Sequence, residues 1–208
     1  MAGLILKDLM SIQRQIKAQS FLLIFFLFIS IFMQQGLILF TLIIFIVTFQ
    51  AITALTYDEQ SNWDKYANTL PISKGDIILS KYILSVLLML FGLILALPIV
   101  FIINRFTNTW ASAEFFLTFN LLVTLAFFML ALLLPIYIKF GSIKGRMFLI
   151  ALCFIPSILF NLLKEYLPDI TLTLSNLKQY MFFAPFAGLL ILWLSSLIST
   201  TIYQRKEF

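Results

Sequence analysis

Histidine is absent from this chain, cysteine occurs once, and charged residues make up only 11% of it. Each shortage excludes something. Without histidine the commonest general base and metal ligand is missing. The lone thiol, Cys153, lies inside an apolar run, where it can form no internal disulfide and build no thiolate metal site, so it reads as packing. No GxxxxGKS/T stretch occurs, so the chain cannot cradle ATP by that route. Ordinary soluble domains carry roughly 25% charged residues and roughly 45–50% apolar ones. At 62% hydrophobic, this chain has no room for a separate soluble domain and reads as one helical membrane domain over 1–208. The net charge of +5 comes from basic residues scattered through short connectors, not gathered in a patch, so nucleic acid is not an expected partner.

The apolar runs divide into spans. Residues 4–17, LILKDLMSIQRQIK, set Ile5, Leu9, Ile12 and Ile16 at helical spacing, with Lys7, Asp8, Ser11, Arg14 and Gln15 turned mostly elsewhere. That pattern predicts an amphipathic helix lying in the membrane interface. From Ala18 to Tyr57 there is no charge, a stretch roughly twice the ~20 residues of one crossing. Two spans are expected, near 20–34 and 37–56, turned at Gln34-Gln35-Gly36. The alternative of a cleaved signal peptide lacks a small-x-small site and is rejected. Further spans are expected at Ile77–Ile103 with Lys81 snorkelling to the interface, at Glu114–Ile138, at Met147–Leu163 broken by Pro156, and at Met181–Tyr203. Connectors fall at 104–113 and at the basic turn of Lys139, Lys144 and Arg146. Residues 164–180 read as an external hairpin or re-entrant segment. Six spans place eleven of the 14 basic residues on the face that holds both termini, which predicts cytoplasmic termini.

Buried polar chemistry is scarce in this reading. Gln50, Asn120 and Asn161 are the main amides near the spans, and helix-to-helix hydrogen bonding accounts for them. The 24 phenylalanines are assigned to lipid contact and packing, and prolines 98, 135, 156 and 185 to kinks that either line a pathway or merely bend a bundle. Gly92 and Gly188 are small enough for a dimer contact. No metal or cofactor site is expected.

The polar exception is Tyr57 to Lys81, YDEQSNWDKYANTLPISKGDIILSK. Its Asp58, Glu59, Asp64 and Lys65 each cost about 2.5–3.5 kcal/mol at mid-bilayer, so it is not a span. Asp58, Glu59 and Asp64 read as a solvated face. Ser61 with Asp64 resembles a capping box, with aspartate in place of the usual Glu or Gln, and Trp63, Tyr66 or Ala67, and Leu70 fall on one helical face until Pro71, predicting a short helix over 61–70. Ser73 with Asp76 forms a second cap that starts the third span.

The run DEQSNWDKYANTLPISKGDIILSKYIL, with acidic residues, a Trp-Asp pair, Leu-Pro-Ile and Ser-Lys-Tyr in order, resembles the signature of bacterial type-2 ABC transporter permeases, and the opening LILKDL is similar too. Within them the chain looks most like the permeases that export phenol-soluble modulins, which are amphipathic peptide toxins. The resemblance implies an all-α integral membrane protein of six transmembrane helices, with an N-terminal interfacial helix and a short cytoplasmic coupling helix, in the bacterial cytoplasmic membrane. It implies as partners an ABC ATPase subunit, which holds the ATP and Mg, and a second permease chain, identical or related. Trp63, Tyr66 and Leu70 would anchor the ATPase, with Asp58, Glu59, Asp64 and Lys65 as a polar rim, and amphipathic peptides would be the substrate. A membrane scaffold or immunity protein that binds peptides without transport is the alternative. An intramembrane enzyme would need catalytic polar groups among the spans.

Overall fold

The computed structural model describes residues 1–33, 36–107, 113–166 and 183–206. Gln34 and Gln35 of the expected turn, the connector at 108–112 and nearly all of segment 164–180 lie outside the described residues, as do the side chains of Ile16, Cys153 and Asn161.

Among the described residues the chain is wholly helical: α1 (Ala2–Phe32), α2 (Gly36–Gln60), α3 (Trp63–Ala67), α4 (Lys74–Thr107), α5 (Ala113–Tyr166) and α6 (Ala184–Gln204). Length and apolarity qualify four stretches as membrane spans: α2, Lys74–Ile103 of α4, Phe116–Leu152 of α5, and α6. A fifth is added if the two arms of α1, Ala2–Gln13 and Lys17–Phe32, count as one bent span; they meet at 64°. The chain is therefore a multi-pass helical membrane protein, with four or five spans by this measure where six are expected.

Besides the bent α1, the difference in count arises at Gly141. Its φ of 79° and ψ of 177° break α5 internally, in a region of backbone space that is essentially glycine's alone. Beyond it, Gly145 lies against the Tyr137 ring, and Leu149 packs on the cluster of Ile52, Leu133 and Tyr137. Along an unbroken helix, positions 8 and 12 residues from Tyr137 would sit about 12 and 18 Å away. The helix therefore turns back on itself at Gly141, where the basic turn is expected. No such break occurs at Pro156, through which the backbone stays helical to Tyr166.

The core is a lattice of apolar side chains from α1, α2, α4, α5 and α6, including Ile12, Phe40, Ile44, Ile78, Met89, Leu130 and Leu192. Helix α6 runs along α5 and α4, while α2 packs between α1, α4 and α5. Gly92 and Gly188 lie inside this packing, against Val47 and Phe127, and are not free for a dimer contact. On the N-terminal arm the buried side differs from the expected one. Leu4, Asp8 and Ile12 are buried while Leu9 is exposed, because the arm packs on the bundle with a carboxylate turned inward.

The linker also differs from expectation. Helix α2 continues to Gln60, so Asp58 and Glu59 belong to its last turn. Ser61 Oγ donates back to Asp58 O and caps nothing; Asn62, in the left-handed region at φ 53°, occupies the cap position, and α3 has only 5 residues. The second cap forms as read, with Asp76 N–H donating to Ser73 Oγ at 3.0 Å. One serine caps and the other does not because the chain leaves α2 through a tight turn that directs Ser61 at the helix it has just ended.

Candidate functional site

At the end of the bundle that carries the N-terminus and α3, four charged side chains from three helices form a closed ring. Lys81, near the start of α4, donates from Nζ to Asp8 Oδ2 of α1 at 2.6 Å and also to Asp58 Oδ2 of α2. Lys7 Nζ lies 2.8 Å from Asp8 Oδ1 and donates to Asp58 Oδ1. Asp8 is 0%, Lys81 5% and Asp58 6% exposed. Two ammonium groups balance two carboxylates, which is what lets charge remain in a low-dielectric setting: each ion loses several kcal/mol of hydration, and only close opposite charges compensate. Thus Lys81 does not snorkel, and Asp58 is not part of a solvated face. The ring ties α1, α2 and α4 together at one level.

Helix α3 sits against the ring. Lys7 Nζ lies 4.1 Å from the Trp63 ring centroid, a cation–π contact. The Trp63 ring is partly buried against the core, and its indole Nε1–H is buried without a hydrogen-bond partner. On the same short helix Tyr66 is 56% exposed, Lys65 is exposed and Leu70, just beyond, is half-buried. Asp64 faces α6: Tyr203 donates from its hydroxyl to Asp64 Oδ1 at 3.2 Å, and Lys206 Nζ lies 4.0 Å from Oδ2. Lys206 also donates to Ile138 O of α5 at 3.2 Å.

Glu59 reaches the break in α5. Its carboxylate accepts the backbone N–H of Ser142, the first residue after Gly141. A Cβ at position 141 would lie 2.7 Å from Glu59 Oε1. Gly141 therefore serves two physical needs at once, a glycine-only backbone conformation and room for a carboxylate. Glu59 in turn caps the returning helix, where exposed N–H groups and the positive end of the helix dipole favour an anion. A cavity of about 80 Å³ lies between these groups, lined by Asp58, Glu59, Asp64, Lys81, Tyr203 and Lys206 among others. Leu55, Ile77, Ile78 and Ile138 complete its wall, and it is large enough for water.

Deeper contacts are neutral. Tyr82 shares its hydroxyl with Ser195 and Ser199 of α6 at 2.8 and 2.7 Å, and Ser195 donates to Ala131 O of α5 at 2.6 Å. Gln50 bonds Gln19 between α2 and α1, as expected of an interhelical amide, whereas Asn120 donates to Phe116 O of its own helix. Among the described residues no group of His, Cys, Asp or Glu could hold a metal ion.

The seven residues singled out in the linker are thus gathered at one end of the molecule, in different settings: Asp58 inside the charge ring, Glu59 on α5, Asp64 on α6, Trp63 turned inward, and Lys65, Tyr66 and Leu70 outward or at the edge. Sequence reasoning missed Lys7, Asp8, Lys81, Gly141 and Tyr203. A signal for Lys81 was available, since an ionisable residue inside a span is by default a functional candidate with a partner to be found.

Residues 3–204 match the family model described as ABC-2 family transporter protein. No curated protein and no solved structure matches the chain.

Proposed function

The chain belongs to the ABC-2 transporter family and is thus a membrane permease component of an ABC transporter, not a catalytic chain; from that premise we propose that it serves an exporter driven by a separate ATPase subunit, coupled through Glu59 to Leu70. The observation that carries this reading is the split of α3 into an outward and an inward aromatic: Tyr66 stands exposed while Trp63, on the same helix, rests on Lys7 of the charge ring. A partner that grips Tyr66, with Lys65 and Leu70 beside it, displaces α3 as a unit. Trp63 passes the displacement to the ring, and so to α1, α2 and α4. Asp64 passes it to α6, and Glu59 to the returning half of α5. Every long helix is then within one contact of the linker.

The reading extends to six spans, with the two arms of α5 counted separately and α1 entering through a bent interfacial arm. It puts both termini in the cytoplasm of a bacterial cell, because eleven of the 14 basic residues then fall on that face, and pairs the chain with a second permease. The substrate assignment, amphipathic peptides of the phenol-soluble-modulin kind, rests on the likeness of the linker motif.

Coupling is tested on the exposed anchor. An aromatic hot spot contributes about 2 kcal/mol or more, so Tyr66→Ala should weaken ATPase binding about 30-fold while leaving membrane insertion and thermal stability intact. Binding is read by titrating the ATPase onto the reconstituted permease. Unchanged affinity in Tyr66→Ala combined with Leu70→Ala would sink the docking assignment. ATP-dependent uptake of an amphipathic helical peptide into inverted vesicles tests the substrate, and uptake of none would remove the peptide class.

A further inference from the structure

Past the break at Gly141, the returning half of α5 presents two unlike sides. Ser142 and Gly145 are buried, and Leu149 packs on the cluster of Ile52, Leu133 and Tyr137. At about 100° per residue, Ile143, Met147, Ile150 and Phe154 fall on one stripe away from that contact. They are 74, 67, 56 and 62% exposed. The stripe begins at the turn and runs about 16 Å along the helix, and its residues through Ile150 belong to a stretch apolar enough to cross a membrane. It is one surface from the turn into the span.

Only the turn end of this stripe is basic. Arg146 and Lys144 flank it on either side and Lys139 precedes the break; all three are exposed. Lys139 Nζ lies 5.1 Å from the centroid of the Phe140 ring, which stacks on Phe148 across the turn at 5.6 Å. Among the described residues none of these three cations is in an ion pair. The neighbouring sequence offers them no partner, since no Asp or Glu occurs from 115 to 164. Glu59 reaches the turn, but at the Ser142 N–H and not at a cation. The three charges therefore face outward uncompensated, in contrast to Lys7 and Lys81 of the ring.

We propose that this turn docks on the anionic phospholipids of the leaflet nearest α3, with acyl chains along Ile143, Met147, Ile150 and Phe154 and headgroup phosphates at Lys139, Lys144 and Arg146. A soluble partner could cover a basic turn with apolar side chains, but the stripe continues past the turn into the span, where a soluble partner does not reach. A bilayer supplies both coverings in the observed order, hydrocarbon along the stripe and negative charge at its end alone. Glu59 joins the end of α2 to this turn, so the docked turn gives the linker a fixed point at headgroup depth.

The full chain carrying Met147→Trp, reconstituted in phosphatidylcholine vesicles that contain phosphatidylglycerol, tests this by fluorescence quenching. Bromine is placed on the acyl chains of one lipid or the other at equal mole fraction. The signal of the 3 native tryptophans, measured on the unaltered chain, is subtracted. Both brominated lipids should quench the new indole, and phosphatidylglycerol should quench it more strongly. Adding Lys139→Gln, Lys144→Gln and Arg146→Gln should remove the difference, since each such cation strengthens attachment to an anionic surface about five-fold. Quenching by phosphatidylcholine should persist, which also shows that the variant has inserted. If that variant fails to fold, the comparison of the two lipids in Met147→Trp alone decides. Equal quenching by both lipids, or a preference unchanged without the three cations, would overturn the proposal. Quenching by neither would give the stripe to a soluble partner such as the ATPase and overturn it equally.

Discussion

Lys81→Met is expected to cost the protein about 3–5 kcal/mol, the usual consequence of removing one partner from a buried ion pair. Methionine fits the space of the lysine stem, so packing is largely kept and the loss is electrostatic. Asp8 and Asp58 would then share the single ammonium of Lys7, two carboxylates to one cation in a setting shielded from water. Thermal unfolding in detergent reads the effect. The companion variant makes the cause explicit: Lys81→Met together with Asp8→Asn leaves one carboxylate to one ammonium, and most of the lost stability should return. That non-additivity is the signature of residues in direct contact. If Lys81→Met unfolds like the unaltered protein, the ring is not what holds α1, α2 and α4 together. If the double variant is no better than the single one, the loss comes from packing and not charge.

Gly141→Ala carries the second large effect. A residue other than glycine in this backbone region costs about 1–3 kcal/mol. The new Cβ would also meet Glu59 Oε1 at 2.7 Å, displacing a charged hydrogen bond to Ser142 of a class that contributes about 1.5–3 kcal/mol. Glu59→Ala separates the two terms, because it removes the cap but leaves the glycine its conformation, and it should show only the second loss. Glu59→Gln keeps a hydrogen-bond acceptor without the charge and should fall between Glu59→Ala and the unaltered chain. In Gly141→Ala the returning half of α5 should also loosen, and hydrogen exchange of the amides following Ser142 is the direct measure. Protection equal to that of the unaltered chain would show that the turn tolerates a side chain and that Glu59 does not set it.

Much of the architecture was legible in the one-dimensional pattern because the bilayer imposes it. The uncharged run from Ala18 to Tyr57, the apolar run after Ile77 and the stretch around Leu190 can only be membrane helices, since an unpaired backbone has no partner in hydrocarbon. The Ser73–Asp76 cap was legible for a similar reason, being local: its donor and acceptor are three residues apart. The apparent capping box at Ser61 was misleading because an identical local pattern was overridden by α2 running on to Gln60. The charges were read from their neighbours in sequence, which made Asp8 part of a polar stripe, Asp58 part of an exposed acidic cluster and Lys81 a snorkelling anchor.

Only the tertiary structure revealed that these three side chains are partners, although 50 and 23 residues of chain separate Asp8, Asp58 and Lys81 in turn. A charge's setting depends on what is opposite it, and no periodicity reports that. The same holds for Gly141, one of 7 glycines, marked out by a backbone angle and by the carboxylate resting where its Cβ would be. Composition and hydropathy by themselves determined that this protein is a helical membrane domain with one polar linker, because burial of the backbone in lipid leaves no other solution. Packing alone decided which linker residues face outward and which are locked into the bundle, because that depends on long-range pairing of charges whose cost falls only when they meet.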